Sequence, residues 1–132
     1  MTRGLVQDHE ELEVYKIAFR SAMDIFKISG QFPKEERYSL TDQMRRSSRS
    51  VCANLAEAWR KRMYQPAFIA KLSDSLAEAA ETQTWISFAV QCGYMSAETG
   101  PDLRKDYTSI QKMLTSMINN ANAPKWTIPL PP

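Results

Sequence analysis

The sequence predicts an all-α protein, an antiparallel up-down-up-down four-helix bundle, and three observations carry that reading. Glycine is scarce, at four residues, and the seven prolines sit near segment ends, so a turn-rich β fold has little support. Four long segments repeat apolar residues at helical spacing. The breaks between them are short, which makes consecutive helices antiparallel neighbours. With 132 residues, 43% of them hydrophobic, the chain has material for one modest core. The expected organisation is one bundle over residues 1–123 and a Pro-rich tail over residues 124–132. That tail holds four prolines and reads as an extended arm.

The first helix is expected over residues 8–29. Asp8 followed by Glu11 resembles a capping box, and Gly30 suits a C-terminal stop. Leu12, Tyr15, Phe19, Ala22, Met23 and Phe26 share one face. Val14, Ile17 and Ile28 lie on another. Apolar groups on two sides exceed what one bundle core covers, and they point to a subunit interface.

Gln31-Phe32-Pro33 then breaks the chain. A second helix follows over residues 40–62, capped by Ser39 or Thr41, with Leu40, Met44, Ser48, Val51, Leu55 and Trp59 as its core stripe. The third starts at Pro66, a residue suited to a first helical turn, and ends before Gly93. Phe68, Leu72, Leu76, Ala79, Ile86 and Val90 align on it; Trp85 and Phe88 fall outside that stripe. The fourth begins between Ser96 and Thr99 and runs to about residue 121. Thr99 as its cap places Pro101 in the first turn and Asp102 three residues on. Its stripe is Leu103, Tyr107, Ile110, Leu114, Met117 and Ala121.

No run approaches the roughly 20 apolar residues of a membrane span, and residues 1–10 lack the apolar centre of a signal peptide. The expected location is the cytoplasm, away from any membrane. Cys52 and Cys92 lie 40 positions apart, match no metal or redox spacing, and read as two buried thiols rather than a disulfide. The single histidine, His9, reads as solvated near a helix start. No Gly-rich phosphate loop and no His/Cys cluster of metal spacing occurs. Glu10-Glu11 and Glu35-Glu36 are adjacent pairs, which diverge on a helix and serve as helix-start acids. The sequence therefore predicts no enzyme, no catalytic residue, no metal and no cofactor.

Charge is the informative feature. Between residues 43 and 62 stand six bases (Arg45, Arg46, Arg49, Arg60, Lys61 and Arg62) against one acid, Glu57, a local balance of +5. The whole chain carries +2, so the remainder carries −3. At about 100° per residue, Arg45, Arg46, Arg49 and Arg60 fall within roughly a 100° arc, about 150° from the core stripe of the same helix. They should form one outward row, extended by Lys61 and Arg62. Arginine's planar fork suits phosphate oxygens. Pairing along the helix is expected to be poor, because Glu57 is its only acidic candidate in that segment. Three uses stay open: phosphate or nucleic-acid binding, ion pairing to a neighbouring subunit, and plain solvated surface. With no RRM or zinc-finger pattern, nucleic-acid binding should go through the backbone and weaken with salt. Asn54 and Glu57 lie off the core stripe, either as contacts to another helix or subunit or as inert surface. Tyr64, Trp59 and Trp126 could stack on bases, although Trp59 sits on the apolar stripe.

Several runs together resemble the 23S ribosomal RNA intervening-sequence protein family. They are Leu12-Glu13-Val14-Tyr15-Lys16, Phe32-Pro33-Lys34-Glu35-Glu36-Arg37-Tyr38, Leu40-Thr41-Asp42-Gln43-Met44-Arg45-Arg46-Ser47, Asn54-Leu55-Ala56-Glu57 and Cys92-Gly93-Tyr94-Met95. The resemblance spans residues 12–118. It implies a four-helix bundle assembling into a ring, typically a homopentamer, with a link to structured RNA. In related accessory proteins of diversity-generating retroelements it implies docking to a reverse transcriptase. That makes a protein-interaction adaptor the alternative to a nucleic-acid-binding protein. Gln43, Arg45, Arg46, Asn54 and Glu57 are the matched positions. Cys52 stands where the family usually has proline, and Ala58-Trp59 replaces its usual glycine. The tail from Pro124 falls outside the resemblance.

Overall fold

The computed structural model describes residues 6–126; these contain four α-helices and no strand. The helices are α1 (Glu13–Ser29), α2 (Leu40–Arg60), α3 (Gln65–Gln91) and α4 (Thr99–Asn119), with 3₁₀ turns at His9–Glu11 and Lys34–Glu36 ahead of α1 and α2.

Local chemistry sets the helix ends, in several places differently from expectation. The Asp8 carboxylate accepts from the Glu10 amide at 3.1 Å and closes the 3₁₀ turn. The Asp8–Glu11 box therefore does not form, and α1 starts later, behind Leu12. Gly30 has an ordinary right-handed φ of −62°, so α1 ends by tightening into i−3 bonds at Gly30, Gln31 and Phe32 before Pro33. The Glu36 carboxylate, rather than Ser39 or Thr41, caps α2: Oε1 accepts from Ser39 Oγ at 2.6 Å and from the Leu40 amide at 3.4 Å. Pro66 occupies the first turn of α3 as expected. After α3, Gly93 takes a left-handed φ of 77°, which glycine adopts without strain. Tyr94 then donates its hydroxyl to Glu36 Oε2 at 2.9 Å, tying the α3–α4 connection to the α1–α2 connection. Ser96 caps α4 instead of Thr99, its Oγ accepting from the Thr99 amide at 3.0 Å.

Helix α1 packs on α2 and α4, and α3 packs on α2 and α4; α1 lies diagonal to α3, and α2 to α4. Following α2 forward from Arg46 to Glu57, its polar partners on α3 step back: Glu81 for Arg46, Ser75 for Val51, Lys71 for Glu57. The expected stripes of α2 and α4 are buried in full. On α3, Phe68, Leu72, Ala79 and Ile86 are buried, joined by Ser75, Thr82 and Ala89, while Leu76 and Val90 are half-buried. A Cβ on Gly100 would collide with Val90, so glycine there permits the close approach of α4 to the end of α3.

Helix α1 reverses the expectation. Its buried face is Val14, Ala18, Ser21, Ala22, Ile25 and Ser29, while Phe19, Met23 and Phe26 are 52%, 40% and 43% exposed. Small residues win the inner face because they let α1 approach α2 and α4; the larger side chains, which dominate a hydrophobicity reading, are left outside. Ile17 and Ile28, on the face set apart, are half-buried against the core.

The packed chain runs three residues beyond the expected boundary at 123. Trp126 is buried, its indole N–H donating to the Asn120 carbonyl at 2.9 Å, with Lys125 Nζ 4.4 Å over the ring. It is thus unavailable for stacking on a base. The rest of the expected tail, residues 127–132, lies outside the described residues. Both cysteines are free. Cys52 is half-buried, and burial pushes its thiol up to about 11; Cys92 is exposed at the end of α3, against the expectation of a buried thiol.

Candidate nucleic-acid interface

The arginines of α2 do not form one equivalent row. Arg45 turns to α1: Nε donates to Ser29 Oγ at 2.8 Å, Nη2 donates to the Phe26 carbonyl at 3.0 Å, and the guanidinium stands 4.6 Å over the Phe26 ring. A cation at the C-terminal end of α1 meets a favourable helix dipole and a last-turn carbonyl that also accepts from Ser29 Oγ at 3.2 Å. Arg46 turns to α3, 2.6 Å from Glu81 and 3.3 Å from Glu78, with Nε donating to Gln43 Oε1 at 3.2 Å. Arg46 is thus paired within the chain, although not along its own helix. The acids come from the neighbouring helix, one turn apart on a single face.

Arg62 is likewise engaged. It donates to the Trp59 carbonyl at 2.7 Å and lies 4.0 Å over the Trp59 ring, and burial pulls its guanidinium below the ordinary arginine value. Trp59 itself is 1% exposed, with its indole N–H directed to the Gln7 carbonyl at 3.4 Å, so it is a core residue. Asn54 donates to the Ser50 carbonyl of its own helix at 2.9 Å. Glu57 pairs with Lys71 of α3 at 2.7 Å, and that hydrogen bond and charge hold its carboxyl below the usual range. Tyr64 is 67% exposed and stays open to a stacking partner.

In and around α2, Arg37, Arg49, Arg60 and Lys61 are exposed and make no ion pair with a described residue. Arg49 stands 5.9 Å over Phe26, the ring that Arg45 also covers, so two guanidinium groups converge on one aromatic side chain. Arg37, Arg45, Arg46 and Arg49 line one shallow groove of about 510 Å³ together with Thr41, Ser50 and a single carboxylate, Asp42. Sequence reasoning missed Arg37 because it precedes α2; the 3₁₀ turn and the Glu36 cap bring it there. Arg60 and Lys61 lie at the other end of α2, outside this groove.

Arginine keeps its proton near neutral pH and offers several N–H donors. The groove thus gathers positive charge, and its arginines are poorly suited to move a proton. His9 is half-buried rather than solvated, its ring edge-on to Tyr15 at 4.8 Å and Nδ1 3.0 Å from Asp8 Oδ1. Ligand atoms of Asp8, His9 and Glu10 come within 4.8 Å of one another. That grouping follows from three consecutive residues in a turn whose Asp8 carboxylate already accepts from a backbone amide.

Fold and site together define a four-helix bundle with an arginine-lined groove on its second helix. The chain belongs to the 23S rRNA-intervening sequence protein family, whose model matches residues 10–116. A solved structure similar to it is a protein of unknown function from the S23 ribosomal protein family of Bacteroides thetaiotaomicron. The two share 29% identity with a TM-score of 0.73, over 81% of this chain and 96% of that one. No curated protein matches the chain.

Proposed function

We propose that this protein is a non-enzymatic, cytoplasmic homo-oligomer, a ring of the pentameric kind, that presents the arginine groove of α2 to the phosphates of RNA or DNA. Each subunit is an antiparallel up-down-up-down bundle; the reversed order of partners between α2 and α3 supports that topology. The observation that carries the functional reading is the convergence of Arg37, Arg45, Arg46 and Arg49 on one groove, three of them in no ion pair with a described residue. Arg45 and Arg46 are held in place by α1 and α3, so they fix the floor on which Arg37 and Arg49 remain available. The family's description as a 23S rRNA-intervening sequence protein supports RNA as the partner. No described helix is long and apolar enough to cross a membrane. Repetition around a ring would multiply a modest patch into a multivalent one.

The direct test is fluorescence anisotropy with a structured RNA across a salt series, using Arg37→Glu/Arg49→Glu. These two positions are chosen because reversing Arg45 would also break its bonds to Ser29 and Phe26. Binding that collapses in the double variant and falls as salt rises supports the reading; binding that ignores both rejects it.

A further inference from the structure

The exposed strip Phe19–Met23–Phe26 and the groove between α3 and α4 lie on opposite sides of one chain, and we infer that they are the two halves of a single head-to-tail contact between copies. The inference rests on the homo-oligomeric reading above and says which surfaces build it.

The first half is an apolar ridge. Phe19, Met23 and Phe26 sit one turn apart along α1, and Phe19 and Met23 border a groove on the α1–α2 side lined also by Cys52 and Ala56. An aromatic side chain carries roughly 150–250 Å² of surface, so at their observed exposures the three leave on the order of 250–300 Å² of apolar area in one strip. Patches approaching the largest that an ordinary monomer exposes are often functional. The strip supplies about a third of the roughly 800 Å² that each partner of a stable interface buries.

The second half is an open groove lined by small side chains. The α3–α4 groove encloses about 790 Å³, and Ser73, Ala77 and Ala80 line its α3 side as small exposed residues. Thr108, Gln111 and Thr115 line the α4 side. Small side chains along one helix leave room for large ones from another, as in ridge-into-groove packing.

Position and charge decide the pairing. Because α1 is diagonal to α3 and α2 to α4, the α1–α2 face and the α3–α4 face are opposite sides of the bundle. A two-fold pairing of the α1–α2 face with itself would bring Arg45 and Arg49 of both copies together at Phe26. The α3–α4 groove lining is neutral apart from Lys112, so it accepts the ridge with far less like-charge conflict. Contacts between different faces propagate from copy to copy and close into a ring when the rotation permits.

The experiment uses two single variants, Met23→Glu on the ridge and Ala80→Glu in the groove. Both positions are exposed in the isolated chain, and far-UV circular dichroism checks that each variant stays folded. Size-exclusion chromatography with light scattering should show each variant alone as a monomer. An equimolar mixture should give a heterodimer and stop there, because each copy keeps one intact half. Three results would overturn the inference. Variants that assemble like the parent show that other faces make the contact. Disruption by Met23→Glu alone, with Ala80→Glu unaffected and no rescue on mixing, shows the ridge pairing with itself or elsewhere. A parent chain that is monomeric at tens of micromolar removes the homo-oligomeric reading too, and leaves the ridge to a foreign protein partner.

Discussion

Replacing Arg49 with alanine separates binding from folding more cleanly than any other change in the groove. Arg49 is exposed, makes no ion pair among the described residues, and touches the fold through a ring contact at 5.9 Å. A cation–π contact at an exposed site is worth at most about 1 kcal/mol, so Arg49→Ala should move the urea midpoint little. Binding should respond differently. Each phosphate contact contributes roughly 0.7–0.9 to the slope of log K against log salt. Losing one contact should therefore weaken RNA binding roughly fivefold to eightfold at 0.1 M salt for each groove the RNA engages, and hardly at all near 1 M. Anisotropy titrations at four or five salt concentrations read both the affinity and the slope. An unchanged slope with unchanged low-salt affinity would refute the claim that Arg49 meets a phosphate. A large fall in stability would refute the claim that it is free of structural duty.

Arg46→Ala should behave in the opposite sense, losing about 1 kcal/mol of stability in urea unfolding, because Glu78 and Glu81 are left facing each other without their shared cation and the partly exposed pair is discounted for screening. Tyr107 is completely buried, and its hydroxyl finds no hydrogen-bond partner among the described residues, so Tyr107→Phe should stabilise the fold by about 1 kcal/mol, read as a rise of several degrees in calorimetry; a comparable loss would show that the hydroxyl is satisfied. Cys92 is exposed while burial holds the Cys52 thiol near 11, so at pH 8 a thiol reagent should label Cys92 promptly and Cys52 only after unfolding; equal rates would place Cys52 at the surface.

How much of this was legible beforehand depends on what each element packs against. The stripes of α2 and α4 were readable because their large apolar residues face inward, so hydrophobicity and burial coincide at Leu55 and Trp59 or at Tyr107 and Leu114. On α1 the two part company. Its inner face is chosen for closeness of approach, by Ala18, Ser21 and Ala22, and periodicity weighted by size selects the wrong side. Two apolar faces on α1 were nonetheless visible, and with them the hint of a surface left over for a partner. The basic character of α2 was legible from charge counting, but the fate of each arginine was not. Arg46 finds its acids 32 and 35 residues away on α3, and Arg45 finds a helix end, both set by tertiary packing that a single-helix projection does not contain. Arg37 was hidden by its place before α2. The helix caps failed for a related reason: Glu36 and Ser96 reach forward to amides that a fixed capping template assigns to nearer residues.

The central claim is that an assembled ring offers its arginine grooves to nucleic acid, and size-exclusion chromatography with light scattering tests it most directly, run at low and high salt with and without a structured RNA. The account predicts an oligomer whose mass is the same at both salts and which takes up RNA only at low salt. A salt-stable oligomer that ignores RNA at low salt, or a monomer throughout, would contradict it.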